Sequence, residues 1–327
     1  MSAAFCLGLI GMLCAVSVVL TPTQGIVNPW PAVRRYAHQA DVLALGSSHT
    51  HCTVLPMELW RETGVTALDV TSGGQVIPVT LSYLEESLKH QNPRVVLLEV
   101  HMVGATYRDI ASAHNNLDYM PAGLPRVRGI TRSVDASNWP EFFLPLQVYH
   151  SRWRELRAAD FFPLKQSWYS YARGALYLPE VKPLDGDTST LDVDEDAYQS
   201  DLSYLRKIAA TCEARCAQLV LFASPSVLSR QVGGVPMLER LESDLSPEFA
   251  SVRYLDLNSV AGKIGISYAT DYKDEDHLNQ RGAVKITRWL ARYLVREFGL
   301  PDRRRAAFAR RWDDDLRRYD ELFVSGW

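Results

Sequence analysis

The chain has 327 residues, enough for one large domain or two small ones. Apolar residues make up 47% of it and charged residues 22%, which is ordinary for a globular protein with a buried core. The formal net charge of -3 argues against a nucleic-acid-binding protein, because such proteins usually carry a strong basic excess.

The N-terminal segment, residues 1–22, is predicted to be a membrane anchor. Residues Ser2 to Leu20 carry no charge and are mostly apolar. A helix of this length is roughly 28 Å long at about 1.5 Å per residue, close to the thickness of the hydrocarbon core of a bilayer. A cleaved signal peptide and a buried soluble helix remain alternatives. The run, however, has neither the basic start of the first nor the polar face of the second.

After a proline-bearing linker, the chain alternates between apolar strands and amphipathic helices. The apolar patterns predict strands at Ala40–Ser48, Val65–Val70 and Arg94–Met102, with helices at Met57–Thr63 and Thr80–His90 between them. Strands that alternate with helices at this spacing favour a parallel sheet covered by helices.

Residues 103–190 break this rhythm and are rich in aromatic residues and prolines. We expect them to form a mostly helical insertion or lid, followed by an exposed acidic loop at Asp185–Asp196. The alternation then resumes with a helix, a strand, a helix, a strand and a long amphipathic helix, at Ala197–Cys216, Gln218–Ser224, Met237–Asp244, Val252–Leu257 and Gln280–Phe298. Residues 38–300 therefore predict an α/β domain, a three-layer sandwich around a parallel sheet of about five strands, with the insertion at 103–190.

The last segment, residues 301–327, is predicted to be a separate amphipathic helix. Its large apolar residues fall three or four apart and form one stripe, Phe308, Trp312, Leu316, Tyr319 and Phe323. This stripe can dock on the chain's own domain, on a membrane partner or on a second subunit.

A serine stands at the carboxyl end of the first predicted strand, in the segment Gly46-Ser47-Ser48-His49. Ligands of open parallel sheets bind at the carboxyl ends of the strands. A glycine there permits a sharp turn that exposes the hydroxyl of Ser48. A serine is a weak nucleophile alone and needs a base to accept its proton.

The second segment, Asp274–Asn279, lies in a loop before the long helix and reads DEDHLN. An aspartate three residues before a histidine can accept a hydrogen bond from one ring nitrogen and leave the other free for the serine proton. We therefore expect Asp274 to orient His277 as the base for Ser48. The neighbouring Asp276 is expected to point elsewhere.

The GSSH and DxxHLN segments resemble the first and last blocks of the SGNH/GDSL hydrolase family. The resemblance implies a flavodoxin-like α/β fold and catalysis by Ser48, His277 and Asp274, without a cofactor. It also implies an oxyanion hole formed by the backbone N–H groups of Ser48 and Gly74, with Gly73 as the fallback. The family's first block is usually G-D-S, and here Ser47 replaces its aspartate.

The family's asparagine block is absent after the third strand, where the chain reads Glu99-Val100-His101-Met102. One oxyanion donor is therefore missing, unless a residue such as His101 replaces it. His49, Gln75, His101 and Arg152 are further candidates for binding substrate. Arg152 suits an anionic substrate, but a structural ion pair is equally open.

The anchor, GSSH, the pair Gly74-Gln75 and DxxHLN together resemble most a membrane-associated branch of this family. That branch works with membrane-bound O-acyltransferases in alginate acetylation and teichoic-acid D-alanylation. The resemblance implies acetyl transfer through a Ser48 ester to a polysaccharide hydroxyl, with a membrane-bound O-acyltransferase as a partner. It also implies a domain outside the cytoplasm. The positive residues oppose that placement, because Arg34 and Arg35 follow the apolar segment and no Lys or Arg precedes it.

Three alternatives remain open. A carbohydrate acetylesterase would run the same chemistry with water. A non-catalytic scaffold would keep the fold and bind a glycan or a partner. A metal site is the third, since histidines and aspartates gather near the same strand ends, namely His49, His51, His101, Asp274 and His277.

Overall fold

The computed structural model describes residues 2–22, 27–107, 109–161, 172–176, 178–186 and 188–323. Five aromatic residues of the insertion lie outside the described residues, namely Phe162, Trp168, Tyr169, Tyr171 and Tyr177. Residues 324–327, at the end of the predicted C-terminal helix, lie outside them as well. The helices, in chain order, are α1 Ser2–Leu20, α2 Trp30–Arg35, α3 Ser48–His51, α4 Pro56–Thr63, α5 Ile77–Ser87, α6 Ile110–Leu117, α7 Leu124–Ser133, α8 Trp139–Phe143, α9 Leu146–Tyr149, α10 Glu195–Ala214, α11 Met237–Leu245, α12 Asn258–Ile264, α13 Gln280–Phe298 and α14 Ala309–Phe323.

A five-stranded parallel sheet forms the centre of the domain. Its strands are β1 Val42–Gly46, β2 Ala67–Thr71, β3 Val95–Glu99, β5 Gln218–Ala223 and β8 Arg253–Asp256, in the order β2-β1-β3-β5-β8. The predicted α/β fold with a parallel sheet and covering helices is confirmed. The order places the second strand at an edge beside the first, as in flavodoxin-like folds.

The central strands are mostly apolar because both faces of the sheet are covered there. Every residue of β1, β2 and β3 is buried. Alternate residues of β1 pack into two separate cores, with Leu43 and Leu45 on one side and Val42 and Ala44 on the other. This arrangement accounts for the nearly continuous apolar runs in the sequence, which are typical of parallel strands buried on both faces.

A second, three-stranded sheet corrects the prediction of an exposed loop at Asp185–Asp196. Its strands are β4 Ser189–Asp192, β6 Leu228–Val232 and β7 Val235–Pro236, with β6 in the middle. All four residues of β4 are exposed, so the segment carries no alternation that would have marked it as a strand. Its backbone groups find partners in β6, nearly forty residues further along the chain.

The described part of the insertion is helical, as predicted. It contains α6 to α9 and the short 3-10 helices Ala136–Asn138, His150–Glu155 and Ala158–Phe161. Its last part contacts α1: both α9 and the two later 3-10 helices pack against that helix. The window Ala3–Leu20 of α1 has a mean hydropathy of 2.5 and is long and apolar enough to cross a membrane.

The C-terminal helix α14 docks on its own domain. Trp312 is fully buried and lies against Trp60 of α4, with the ring centroids 5.4 Å apart. Between α14 and α2, the buried guanidinium of Arg173 lies over the rings of Tyr36 and Trp312, at 3.5 and 4.2 Å. It also pairs with Asp315 at 2.8 Å, and the hydroxyl of Tyr36 donates to the same carboxylate at 2.6 Å.

A candidate serine-histidine-aspartate site

Ser48 is the first residue of α3, directly after the turn that ends β1. The turn needs Gly46, whose φ is 131° and whose missing Cβ would lie 2.5 Å from Oγ1 of Thr50 and 3.1 Å from Cβ of Glu99. Ser47 caps the helix, since its side chain accepts a hydrogen bond from the N–H of His49. The tight turn and the cap together hold Ser48 at the carboxyl edge of the sheet.

His277 and Asp274 lie on a loop braced at both ends. The loop closes through a bridge between Tyr272 and Leu278, and Asn279 caps α13 by accepting from two backbone N–H groups. One oxygen of Asp274, Oδ1, accepts from the backbone N–H groups of Asp276 and His277, each at 2.9 Å. The carboxylate therefore holds the shape of the loop as well as the histidine ring.

The three side chains form one chain of hydrogen bonds. Nε2 of His277 lies 2.8 Å from Oγ of Ser48, and its Nδ1 lies 2.7 Å from Oδ1 of Asp274. The carboxylate on Nδ1 favours a proton there, which leaves Nε2 as the acceptor for the serine proton. The contacts predicted from the two sequence segments are therefore present. Such a chain can deprotonate a serine hydroxyl as it attacks an acyl carbon.

The electrostatics keep the orienting carboxylate ionised. Burial acts to raise the pKa of Asp274. The hydrogen bond and charge of His277, the Asp276 N–H and the charge of Lys273 outweigh this effect and hold that pKa below its ordinary value. An ionised carboxylate stabilises the imidazolium that forms when His277 takes the proton.

Two further histidines stack beside the catalytic candidate. The rings of His49 and His101 lie 3.6 Å apart at 17°, and the ring of His49 lies 4.5 Å from that of His277. Burial, together with the charges of His101, His277, His51 and Arg230, holds the pKa of His49 well below its ordinary value, so it is neutral. Its Nε2 is buried and has no hydrogen-bond partner among the described residues.

Glu99 occupies the end of β3, where the resembled family has its asparagine block. Burial raises its pKa to about 8, although it accepts hydrogen bonds from the backbone N–H groups of His101 at 3.0 Å and Ser224 at 3.5 Å. Burial therefore favours the protonated form of this carboxyl, and its hydrogen bonds fix the loops after β3 and β5 beside the site.

Gly74 lies in the turn after β2, the neighbour of β1 in the sheet. Its φ is 63°, and no atom lies within 4 Å of the position that a Cβ would take. A ligand can therefore approach the backbone closely at this point. Gly73 beside it is exposed and has the same open space.

Gln75 and Arg152, both predicted as substrate ligands, make structural contacts. Gln75 is buried and donates to Oγ1 of Thr80 at 3.1 Å, which ties the turn to α5. Arg152 donates to the backbone carbonyl of Leu20 at 2.9 Å and pairs with Asp160 at 2.6 Å. Its contacts tie the insertion to α1, so of the two readings of Arg152 in the sequence, the geometry favours the structural ion pair.

One group of possible metal ligands is found among the described residues, and it differs from the set considered in the sequence. It comprises His49, His101 and Asp276, whose donor atoms lie within 4.8 Å of one another. The group does not suit an ion, because the two imidazole rings are stacked 3.6 Å apart at 17°. Their lone pairs lie in these nearly parallel planes and cannot both point at one ion between them. His277 is excluded in addition, since both its nitrogens are engaged by Ser48 and Asp274.

Sequence reasoning missed Asp276 and Arg230 as neighbours of the site. Arg230 comes from β6 of the unpredicted small sheet; it donates to the carbonyl of Val103 at 3.0 Å, and its charge acts on Glu99 and Asp276. The exposed pattern of β4 and the half-buried pattern of β6 left no signal that could have placed this arginine. When the chain is compared with known proteins, no family model, no curated protein and no solved structure matches it.

Proposed function

We propose that the chain is a serine acyltransferase of the SGNH/GDSL type, which transfers an acetyl group through an ester on Ser48 to a hydroxyl of a cell-envelope or secreted polysaccharide. The observation that carries the proposal is the hydrogen-bond chain from Ser48 through His277 to Asp274, with distances of 2.8 and 2.7 Å. It lies at the carboxyl edge of a parallel sheet, where open α/β folds bind their ligands.

The reaction has two matching halves. Oγ of Ser48 attacks the acyl carbon of the donor ester while Nε2 of His277 takes its proton; the donor's C–O bond then breaks, and its oxygen leaves with that proton. In the second half, His277 takes the proton of the acceptor hydroxyl, whose oxygen attacks the acyl-enzyme. Ser48 leaves and recovers its proton. Asp274 orients the imidazole and stabilises its charged form throughout.

The backbone N–H groups of Ser48 and Gly74 are the proposed donors to the oxyanion. The open space beside Gly74 supports this role. With one fewer donor than the family pattern, the intermediate loses about 3 kcal/mol of stabilisation, judged by single-donor deletions in other enzymes. A bound sugar hydroxyl recovers this loss through its high effective concentration, whereas water does not. Transfer is therefore favoured over hydrolysis.

The N-terminal helix α1 tethers this chemistry to a membrane. Its apolar window is long enough to span a bilayer. We propose that the globular part lies outside the cytoplasm, where envelope polymers are, beside a membrane-bound O-acyltransferase that supplies the acyl group. A reporter fused after the last residue tests the side: activity of a reporter that works only in the cytoplasm would reverse the placement.

Labelling by a fluorophosphonate probe tests the nucleophile. The full chain in detergent should form one adduct, mapped by mass spectrometry to Ser48 and absent in Ser48→Ala. Ser203→Ala is the matched control, because it removes an exposed serine hydroxyl that bonds only within α10 and should still be labelled. Labelling that survives in Ser48→Ala would end the assignment, and a folded wild type that is never labelled would favour the scaffold alternative.

The partition of the acyl group tests transfer against hydrolysis. An acetyl ester is supplied with and without candidate oligosaccharides, and acetylated sugar is measured against free acetate. Sugar acetylation that is lost in Ser48→Ala supports the transferase. Acetate release that ignores every acceptor supports the carbohydrate acetylesterase, which uses the same three residues.

A further inference from the structure

The segment that packs on the end of α1 exposes large aromatic side chains. Trp153 is 61% exposed and Phe161 is 57% exposed, although both lie within the short 3-10 helices that contact α1. Large apolar side chains that are exposed near one another often mark an interaction surface, whereas single exposed ones are ordinary. We call residues 150–161 the juxtamembrane face.

The position of this face is set by α1. Among the described side chains of α1, only Ser17 and Leu20 are buried, so the helix leaves the domain through its last turn. Arg152 fastens that turn by donating to the carbonyls of Val19 at 3.4 Å and Leu20 at 2.9 Å. Asp160 holds the arginine in place and accepts a further hydrogen bond from the N–H of Arg157 at 2.7 Å.

These contacts fix the depth of the face relative to a bilayer. The 19 residues of α1 are about as long as the hydrocarbon core is thick, so its last turn ends at the boundary between acyl chains and headgroups. Trp153 follows Arg152 directly, so it lies within roughly 12 Å of the end of α1, given the reach of an arginine side chain and one Cα step. That distance keeps Trp153 in or near the headgroup layer.

The chemistry of the face suits that layer. Tryptophan is enriched at membrane interfaces because its ring is apolar and its N–H is polar. The guanidinium of Arg154 lies over the ring of Trp153, 5.0 Å from its centroid, and can reach lipid phosphates while its stem stays on the apolar ring. Arg152 satisfies carbonyls at the helix end, which matters where water is scarce.

We propose that the juxtamembrane face inserts Trp153 and Phe161 into the lipid headgroup layer of the bilayer that α1 spans, so that the insertion holds the domain against the membrane in a fixed pose. The proposal rests on the membrane anchor and is independent of the reaction at Ser48. A second copy of the chain, or the transmembrane helix of a partner, is the competing occupant of this face.

Collision measurements on a nitroxide label test the depth of the face. The full chain is reconstituted in lipid nanodiscs, and the exposed cysteines Cys6 and Cys216 are replaced by serine while Cys52 and Cys212 stay buried. Three single-label chains are compared: one labelled at the native Cys14 of α1, one at Trp153→Cys without Cys14, and one at Val235→Cys without Cys14. Val235 is an exposed apolar residue of β7, at 39%, and serves as the matched control.

The ratio of collisions with oxygen, which collects in lipid, to collisions with a water-soluble nickel chelate reports the surroundings of each label. We expect this ratio to be several-fold higher at 153 than at 235, and highest at Cys14. If the ratio at 153 equals that at 235 while the ratio at Cys14 is high, the docking of the face on lipid is overturned. The membrane anchor is left intact by this result. A label at 153 that is shielded from both reagents overturns it in favour of a protein occupant. A water-exposed Cys14 overturns the anchor, and the docking with it.

Discussion

Two histidine-aspartate pairs in this chain have almost the same geometry and opposite surroundings. Nδ1 of His277 lies 2.7 Å from Asp274, three residues away, and Nδ1 of His114 lies 2.8 Å from Asp118, four residues away. The side chains of the first pair are 20% and 38% exposed, and those of the second are 6% and 0% exposed. The two pairs therefore separate the effect of the contact itself from the effect of what surrounds it.

The second nitrogen of each ring makes the difference. Nε2 of His277 meets the hydroxyl of Ser48, which can exchange a proton with it. Nε2 of His114 lies 3.5 Å from the carboxylate of Glu141, while its ring stacks on Phe142. Burial lowers the pKa of His114, but the hydrogen bonds and charges of Asp118 and Glu141 outweigh it and raise the pKa overall. His277 is placed to exchange a proton with Ser48, whereas the contacts of His114 favour its charged form and give it a structural role.

The largest expected effect is on turnover. His277→Ala removes the base, and we expect the hydrolysis of a chromogenic acetyl ester to fall by about 10⁴-fold or more, as when a triad member is removed elsewhere. His114→Ala should leave turnover within a factor of about two per folded molecule. Equal losses of turnover in the two variants would show that the different contacts of Nε2 do not give the two histidines different roles.

The aspartates sharpen the same contrast. Asp274→Asn keeps the shape of the side chain but favours the wrong tautomer of His277, which costs about 10⁴-fold in a serine protease. Asp118→Asn should spare turnover. Initial rates at saturating ester and at pH 7.5 decide it, and full activity in Asp274→Asn would reduce that pair to a loop brace.

The expected order of the two aspartates reverses when the free energy of unfolding is measured. Asp118 is buried, and its carboxylate accepts hydrogen bonds from His114 and from the hydroxyl of Tyr149 at 2.9 Å. Neutralising one partner of a buried pair costs about 3–5 kcal/mol. Urea unfolding should show this loss in Asp118→Asn. The loss should be much smaller in Asp274→Asn, because the side chains of Asp274 and His277 are partly exposed. Similar losses in the two variants would contradict a structural role for Asp118 that Asp274 does not share.

Tyr149→Phe is a smaller perturbation of the buried pair of His114 and Asp118. It removes one donor to the Asp118 carboxylate and leaves the ring in place. A hydrogen bond to a charged group contributes about 1.5–3 kcal/mol. A loss of that size in urea unfolding, with turnover unchanged, is the expected result; an unchanged unfolding midpoint would mean that Tyr149 adds nothing to the pair.

The smallest effect is a pH dependence of stability. A histidine with a raised pKa in the folded state stabilises fully below its ordinary pKa of 6.5, and this contribution is lost as the pH rises through the folded value. The contribution changes by at most about 1.4 kcal/mol per pH unit. Between pH 5.5 and 8.5, the free energy of unfolding should therefore fall less steeply with pH in His114→Asn than in the wild type. The same slope in both proteins would contradict a stabilising contribution from the charged form of His114.

The sheet and the three proposed catalytic residues were predictable because their signals are local. The long helix α13 has the predicted bounds, and its capping residue Asn279 stands in the same short segment as His277 and Asp274. The pairing of that loop with Ser48 followed from topology, since the carboxyl ends of parallel strands share one edge.

What could not be predicted depends on contacts between distant segments. The ring of His49 stacks on that of His101, fifty-two positions away, and no pattern in either segment predicts this contact. The structural role of Arg152 depends on carbonyls of α1 more than 130 positions earlier. The raised pKa of Glu99 follows from complete burial, whereas a glutamate at the end of a strand is usually solvated.

The buried guanidinium of Arg173 imposes an order of events on synthesis. Its partner Asp315 lies 142 residues later, and Tyr36, which shares that carboxylate, precedes Asp315 by 279 residues. The residues around Arg173 can therefore complete their contacts only after α14 has left the ribosome. A nascent chain that stops before α14 would bury a positive charge without its counterion, so we expect it to stay open and become a substrate for proteases.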